Sequence, residues 1–87
     1  MTGNFAFSKA GHDKGKLYVI VAEEQDYVSL CDGRLKKIDA PKKKRKKHIQ
    51  IVNRRVGEEL LAGLEKRETM LDEQIKYAIK QYEKEKE

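Results

Sequence analysis

The first half of the chain alternates between apolar and polar positions over short stretches, which is the period of a half-buried β-strand. Phe5 and Phe7 share one face of the first stretch, and Ile49 and Ile51 share one face of the last. Leu35 is expected to point inward from the fourth stretch, residues 34–38. The alternation predicts strands over residues 5–10, 16–24, 26–32, 34–38 and 48–52. Five short strands with tight turns favour a small closed barrel, because closure removes exposed edges.

The apolar period changes at Val56, from two residues to the 3.6 residues of a helix. The helical stripe contains Leu60, Leu64, Leu71, Ile75, Ile79 and Tyr82. It weakens over residues 66–71, where Thr69 or Asp72 is suited to cap a new helix. We therefore expect helices over residues 56–67 and 72–84, with one continuous helix as the alternative. The stripe either packs against the barrel or itself, or docks a partner protein or a second copy.

The predicted fold is mostly β with α: a five-stranded barrel over residues 1–54, followed by a helical extension over residues 55–87. Two of its turns are marked by glycine. Gly11 and Gly15 bracket the polar turn GHDKGK, and Gly33 completes an Asp-Gly turn. Asp13 is expected to stabilise the first turn by bonding to its own backbone.

Charge is distributed unevenly over this outline. The 87 residues include 20 Lys and Arg and 15 Asp and Glu, giving a formal net charge of +5 and a pI of about 9.3. Residues 1–55 carry 14 of the basic and 6 of the acidic side chains, so the basic excess lies in the predicted barrel. A basic region of this kind is typical of proteins that bind a polyanion.

Several classes of protein are disfavoured by what the sequence lacks. A single cysteine, Cys31, excludes an internal disulfide and argues against a zinc site. The longest apolar run, residues 17–22, is too short to span a bilayer, and no signal-peptide pattern is visible. His12 and His48 accompany no carboxylate pair, activated nucleophile or nucleotide loop. We expect a cytoplasmic binding protein that is not an enzyme, with no cofactor, metal or membrane association.

Residues 41–48, PKKKRKKH, place six consecutive cations between the only proline and a histidine. Such a run is a disordered segment, a nuclear-targeting signal or one wall of a nucleic-acid site. Pro41 interrupts strand pairing and His48 precedes the last predicted strand, which indicates a tethered basic loop between the fourth and fifth strands. Because adjacent cations repel one another, we expect the loop to become ordered on a polyanion.

Three segments within residues 8–48 follow one another in an order that resembles the bacterial KOW-domain RNA-binding proteins. The segments are GHDKGK, DGRLKK and PKKKRKKH. That family is similar to KOW-containing large-subunit ribosomal proteins of archaea and eukaryotes. The resemblance implies an SH3-like barrel, RNA as the ligand, rRNA above all, and an association with ribosomes or translation. The helical extension carries no motif that adds to it.

The resemblance and the charge together assign RNA contacts to the glycine turn, the Asp-Gly turn and the basic run. The candidates are Lys9, His12, Lys14, Lys16, Arg34, Lys36, Lys37, Lys42, Lys43, Lys44, Arg45, Lys46, Lys47 and His48. Such cations contact phosphates and read shape, not base sequence. Tyr27, beside a turn, is the aromatic side chain expected to be most available for base stacking. The alternative function is a protein-interaction module that binds a translation or transcription factor through the barrel or the helices.

Overall fold

The computed structural model describes residues 1–66 and 71–86, which form one antiparallel β-sheet and two α-helices. The strands are β1 (Asn4–Ser8), β2 (Leu17–Glu23), β3 (Tyr27–Cys31), β4 (Lys42–Arg45) and β5 (Ile49–Arg55). A 3-10 turn (Lys46–His48) joins β4 to β5, and the helices α1 (Glu58–Lys66) and α2 (Asp72–Glu85) follow.

The five strands lie in the order β4-β3-β2-β1-β5, and each neighbouring pair is antiparallel. The predicted mixed class, five strands followed by helices, is confirmed. The predicted closure is not found, since no ladder joins β4 to β5 within the described residues. Both strands are edges of the sheet, and the lysines of β4 discourage its pairing with a foreign strand.

The fourth strand does not lie where the alternation placed it. Residues 34–38 form bends and a turn, and the side chain of Leu35 is 80% exposed instead of pointing inward. The Asp32 carboxylate accepts hydrogen bonds from the backbone N–H groups of Arg34 and Lys36, each at 2.9 Å. These local bonds compete with a strand ladder for the same backbone donors, and here they prevail.

The basic run supplies the fourth strand instead. Residues 42–45 form β4 along β3, with Arg45 opposite Tyr27 and Lys42 opposite Leu30. The prediction of a loop over residues 41–48 is therefore wrong. That prediction assumes that adjacent cations repel one another. In the structure Lys42 and Lys44 pair with Asp13, and Lys46 pairs with Glu23, which offsets the repulsion.

One face of the sheet packs against both helices. The shared core contains Phe5, Leu17, Val19 and Cys31 from the sheet and Leu60, Leu64, Leu71, Ile75, Ile79 and Tyr82 from the helical region. Phe5 stacks on Tyr82 with ring centroids 4.9 Å apart. Burial raises the pKa of the Cys31 thiol to about 12, which makes it an unreactive core residue. The helical stripe therefore packs against the sheet. This is one of the two uses expected for it, the other being the docking of a partner.

Two helices are confirmed, and their bounds lie within two residues of those predicted where the structure describes them. Position 67, the expected end of the first helix, and the proposed cap Thr69 lie outside the described residues. Asp72 does not cap α2 with its side chain. Neither α1 nor α2 is long and apolar enough to cross a membrane.

The other face of the sheet buries a second core that is formed by strand residues. It contains Ala6, Tyr18, Ile20, Val28, Leu30 and Ile49, each at most 5% exposed. In a flat sheet β4 and β1 would lie three strand spacings apart, about 14 Å. Yet the ammonium of Lys44 on β4 lies 2.6 Å from the hydroxyl of Ser8 on β1. The sheet is therefore strongly curled around this second core.

The Asp-Gly turn docks on the start of α2. Gly33 has a φ of 78°, and a Cβ added there would overlap the Asp72 carbonyl oxygen and lie 2.9 Å from the Lys76 nitrogen. The Asp72 carboxylate accepts a hydrogen bond of 2.8 Å from the Ile38 N–H. A residue without a side chain is therefore required at this contact. Because the turn docks on α2, the neighbouring Arg34 lies beside that helix.

Candidate nucleic-acid interface

The cations of β4 alternate between the two faces of the sheet. Lys42 and Lys44 lie on the face that buries the second core, which we call the inner face. Their partners in the ladder are Leu30 and Val28. Lys43 and Arg45 lie on the outer face and are exposed. Because successive side chains of a strand point to opposite faces, the cations of β4 are divided into two that point inward, Lys42 and Lys44, and two that are exposed, Lys43 and Arg45.

The inner lysines converge on Asp13, in the turn between β1 and β2. Its carboxylate is 2.7 Å from the Lys44 ammonium and 2.9 Å from that of Lys42. It also accepts hydrogen bonds from the Tyr18 hydroxyl at 2.8 Å and the Ser8 hydroxyl at 2.9 Å. We call these five side chains the Asp13 cluster. Asp13 bonds side chains of three strands here, not its own backbone as the sequence suggested.

Electrostatic attraction within the Asp13 cluster stabilises the contact between β4 and the turn that joins β1 to β2. The side chains of Asp13 and Lys44 are only 10% and 11% exposed, so water screens their attraction weakly. Burial disfavours the charged form of Asp13, but its four hydrogen-bond donors outweigh burial and hold its pKa well below the usual range. Burial and the Asp13 charge also raise the pKa of Tyr18 well above its usual range. The carboxylate therefore stays charged and keeps β4 fixed to the turn.

The outer face of β4 forms a group that we call the β4 surface: Tyr27, Lys43 and Arg45. The Lys43 ammonium lies 5.2 Å from the centroid of the Tyr27 ring, and the Arg45 guanidinium lies 5.1 Å from it. Cations at this distance are attracted to the face of the ring. Tyr27 is half-buried between them and not freely exposed. The arrangement offers two positive charges and one aromatic ring on a single edge of the sheet.

The glycine turn lies beside the basic run. Gly11 and Gly15 both have positive φ angles, 86° and 88°. The Lys44 ammonium donates to the Ala10 carbonyl at 2.7 Å, and the Lys9 N–H donates to the His48 carbonyl at 2.8 Å. Lys9, His12 and Lys14 in and beside the turn are exposed, and so are Lys43, Arg45 and Lys47 of the basic run. The two segments are thus in contact through Lys44 and through the backbone of Lys9.

Carboxylates elsewhere in the chain compensate the rest of the run only partly. Lys46 is 2.7 Å from Glu23, and Lys43 is 2.9 Å from Glu24, an exposed pair that contributes little. Hydrogen bonds from Lys46 lower the pKa of Glu23. Arg45 and Lys47 have no ion-pair partner within residues 1–66 and 71–86.

The candidates around the Asp-Gly turn face a different surface. Lys16 is bound to the Asp32 carboxylate at 2.7 Å, and hydrogen bonds from Lys16 and the turn backbone lower the pKa of Asp32 against the effect of burial. Arg34 and Lys37 are exposed, and Lys36 is half-buried. The contact residues proposed from the sequence are therefore divided between the basic run with the glycine turn and the surroundings of the Asp-Gly turn.

The second surface is a cleft of about 350 Å³ between the turns and α2, which we call the α2 cleft. It is lined by Phe7, Gly15, Lys16, Leu17, Asp32, Arg34, Lys76, Ile79, Lys80 and Glu83. Sequence reasoning did not select Lys76 and Lys80, which come from the helix. Their spacing of four residues was visible and places both on one helical face, but nothing in the sequence showed that this face meets the Asp-Gly turn.

Comparison of the chain with protein-family models and with curated protein sequences gives no match. In the parts of the chain that the structure describes, no three His, Cys, Asp or Glu side chains gather to hold a metal ion.

Proposed function

We propose that this protein binds structured RNA, rRNA above all, through phosphate contacts, and that it acts with ribosomes or in translation. The observation that carries the proposal is the β4 surface, in which two cations flank an aromatic ring. The Asp13 cluster holds β4 in place, so Lys43 and Arg45 are displayed on one edge instead of being spread over a mobile loop.

The chemistry of this edge suits a phosphate backbone. Each lysine or arginine that neutralises a phosphate releases condensed counterions, which gives affinity without reading bases. A rigid display also lowers the entropy that the side chains lose on binding. Tyr27, flanked by Lys43 and Arg45, adds a ring on which an unpaired base can stack.

The curled sheet supports an SH3-like arrangement of the strands, with an incomplete barrel in place of a closed one. The residues of the second core all belong to strands and are each at most 5% exposed, so the sheet itself must wrap around them. The hydrogen bond from Lys44 on β4 to Ser8 on β1 joins two strands that are not neighbours in the sheet, across the side on which the barrel stays open. The resemblance of residues 8–48 to KOW-domain proteins agrees with this arrangement and supplies the ribosomal part of the proposal.

The test of the ribosomal part is fractionation of a cell lysate on a sucrose gradient, followed by crosslinking of bound RNA. We expect the protein to sediment with ribosomal particles and to crosslink to rRNA through the β4 surface. The protein remaining at the top of the gradient, with no rRNA crosslink, would sink the ribosomal part. Competition of purified rRNA fragments with duplex DNA of equal length then tests the preference for RNA.

A groove between the helices favours a second candidate, a protein partner. It has a volume of about 550 Å³ and is lined by Gly57, Glu59, Leu60, Glu73, Gln74, Tyr77, Ala78 and Gln81. The Tyr77 side chain lines this groove and is 63% exposed, and tyrosine is among the residue types enriched at binding interfaces. A Tyr77→Ser substitution is expected to abolish such a complex while leaving RNA binding intact. Loss of RNA binding in the same variant would contradict the separation of the two surfaces.

A further inference from the structure

We infer that the α2 cleft receives one unpaired nucleotide of the bound RNA, with its base inside and its phosphate at Arg34 and Lys80. This inference rests on the proposed function and adds to it a preference for RNA with an extruded base. It also makes α2, which carries no motif in the sequence, part of the RNA interface.

The cleft is a built feature of the fold. One wall is the Asp-Gly turn, which Gly33 brings into close contact with Asp72 and Lys76 of α2. The salt bridge of 2.7 Å between Lys16 and the buried Asp32 joins this wall to the end of the glycine turn. The opposite wall is the face of α2 that carries Lys76 and Lys80. Three separate segments of the chain are thereby fixed around one opening.

The charges of the lining indicate where a phosphate would lie. Lys16 is occupied by Asp32, and Lys76 lies 3.1 Å from Glu73 on its own helix. Arg34 and Lys80 are exposed at the rim, and neither has an ion-pair partner among the described residues. An arginine and a lysine on facing walls suit a single phosphate, because the guanidinium provides a planar pair of donors and the ammonium a mobile charge.

The floor of the cleft suits a base. Phe7, Leu17 and Ile79 supply apolar surface, and Phe7 is only half-buried. Glu83 at the rim is an exposed acceptor for the amino group of a base. The volume of about 350 Å³ lies at the lower end of small-ligand sites, which run from about 300 to 1,000 Å³. One nucleotide fits such a space and a duplex does not.

The position of the cleft favours a nucleotide within RNA over a free one. The cleft includes Gly15 and Lys16, at one end of the glycine turn, whereas Asp13 in the same turn anchors β4. The glycine turn thus connects the cleft to the strand that carries the β4 surface, and we expect one bound RNA to contact both. Proteins that recognise RNA specifically do so at unstacked bases of loops and bulges, and the cleft adds a site for such a base to the ring of Tyr27 on the β4 surface.

The experiment compares two RNA hairpins with identical stems, one of which carries a single-nucleotide bulge, by fluorescence anisotropy. We expect the full chain to bind the bulged hairpin about tenfold more tightly, since stacking of one base contributes this order of affinity. The double variant Arg34→Gln/Lys80→Gln should lose that preference and bind the two hairpins with equal affinity, whatever loss both hairpins share. The matched control, Lys66→Gln/Lys84→Gln, removes the same charge outside the cleft and should keep the preference.

The possible outcomes separate this inference from the proposed function. Equal binding of both hairpins by the unaltered protein overturns the cleft inference and leaves RNA binding in place. Binding of neither hairpin overturns both. A titration with adenosine 5′-monophosphate, followed by backbone NMR shifts at Gly15 and Arg34, adds a further arm. Submillimolar binding there, with no bulge preference, would assign the cleft to a free nucleotide and overturn the inference.

Discussion

The Asp13 carboxylate lies 2.7 Å from the Lys44 ammonium, although the two residues are 31 positions apart in the chain. This pair joins the glycine turn to the basic strand. Together with the pairs of Lys42 with Asp13, Lys43 with Glu24 and Lys46 with Glu23, it gives four of the six adjacent cations a carboxylate partner. It also links the stability of the fold to the display of Lys43 and Arg45.

Replacing Asp13 tests the link directly. The Asp13→Asn variant leaves the buried Lys44 and the neighbouring Lys42 without a carboxylate, and breaking a buried pair of this kind costs about 3 kcal/mol. We expect urea denaturation at pH 7 to show a loss of that size. A Glu24→Gln control breaks the exposed pair with Lys43 and should change stability by less than about 0.5 kcal/mol. Equal losses in the two variants would contradict the account.

The same pair predicts a dependence of stability on pH. The pKa of Asp13 is depressed in the folded protein, so its stabilising effect is fully present above the unfolded pKa of about 3.9. That effect is lost progressively as the pH falls below this value toward the folded pKa. Urea midpoints measured from pH 6 to pH 2.5 should fall more steeply for the unaltered protein than for Asp13→Asn. Parallel curves for the two proteins would show that Asp13 is not the group responsible.

Tyr27 is predicted to contribute to RNA affinity through its ring. Tyr27→Ala should weaken binding of a hairpin with unpaired bases by about tenfold, since base stacking on an aromatic side chain contributes about 1–3 kcal/mol. Tyr27→Phe keeps the ring and should bind within about twofold of the unaltered protein. The comparison is made by anisotropy at fixed salt. A loss in the phenylalanine variant as large as that in the alanine variant would assign the effect to the hydroxyl instead.

Gly33 is predicted to be essential for the contact between the Asp-Gly turn and α2. Gly33→Ala adds a Cβ that overlaps the Asp72 carbonyl and also imposes a strained positive φ of 78°. The strain alone costs about 1–2 kcal/mol, and the overlap adds to it. Gly57→Ala is the matched control, because a Cβ there meets nothing within 4 Å. Thermal unfolding should show a clear loss for the first variant and little change for the second.

The order of strands and helices could be predicted from the sequence because it depends on local periods. The alternation around Val28 and Leu30 and the helical stripe through Leu64 and Ile75 both report burial on one face, and the structure buries all four. The fourth strand was misplaced because residues 34–38 have the same alternation as a strand. The competing bonds of Asp32 to the backbone decide the outcome, and alternation does not reveal them.

The candidate site was only partly accessible from the sequence. The cations of the basic run were evident, but their division into an inner and an outer half depends on the register of β4 against β3. The role of Asp13 depends on the curl of the sheet, which brings Lys44 across to β1. Lys80 depends on the packing of α2 against the Asp-Gly turn. Each of these is a long-range relationship, and a local pattern carries no information about it.

The central claim is that the β4 surface contacts RNA phosphates, and the salt dependence of binding tests it most directly. Affinity for an rRNA hairpin is measured over a range of salt for the unaltered protein, for Lys43→Gln/Arg45→Gln and for the control Lys66→Gln/Lys84→Gln. The account predicts that the slope of log affinity against log salt becomes shallower by about 1 to 2 in the first double variant and is unchanged in the control. Equal slopes in all three proteins would contradict it.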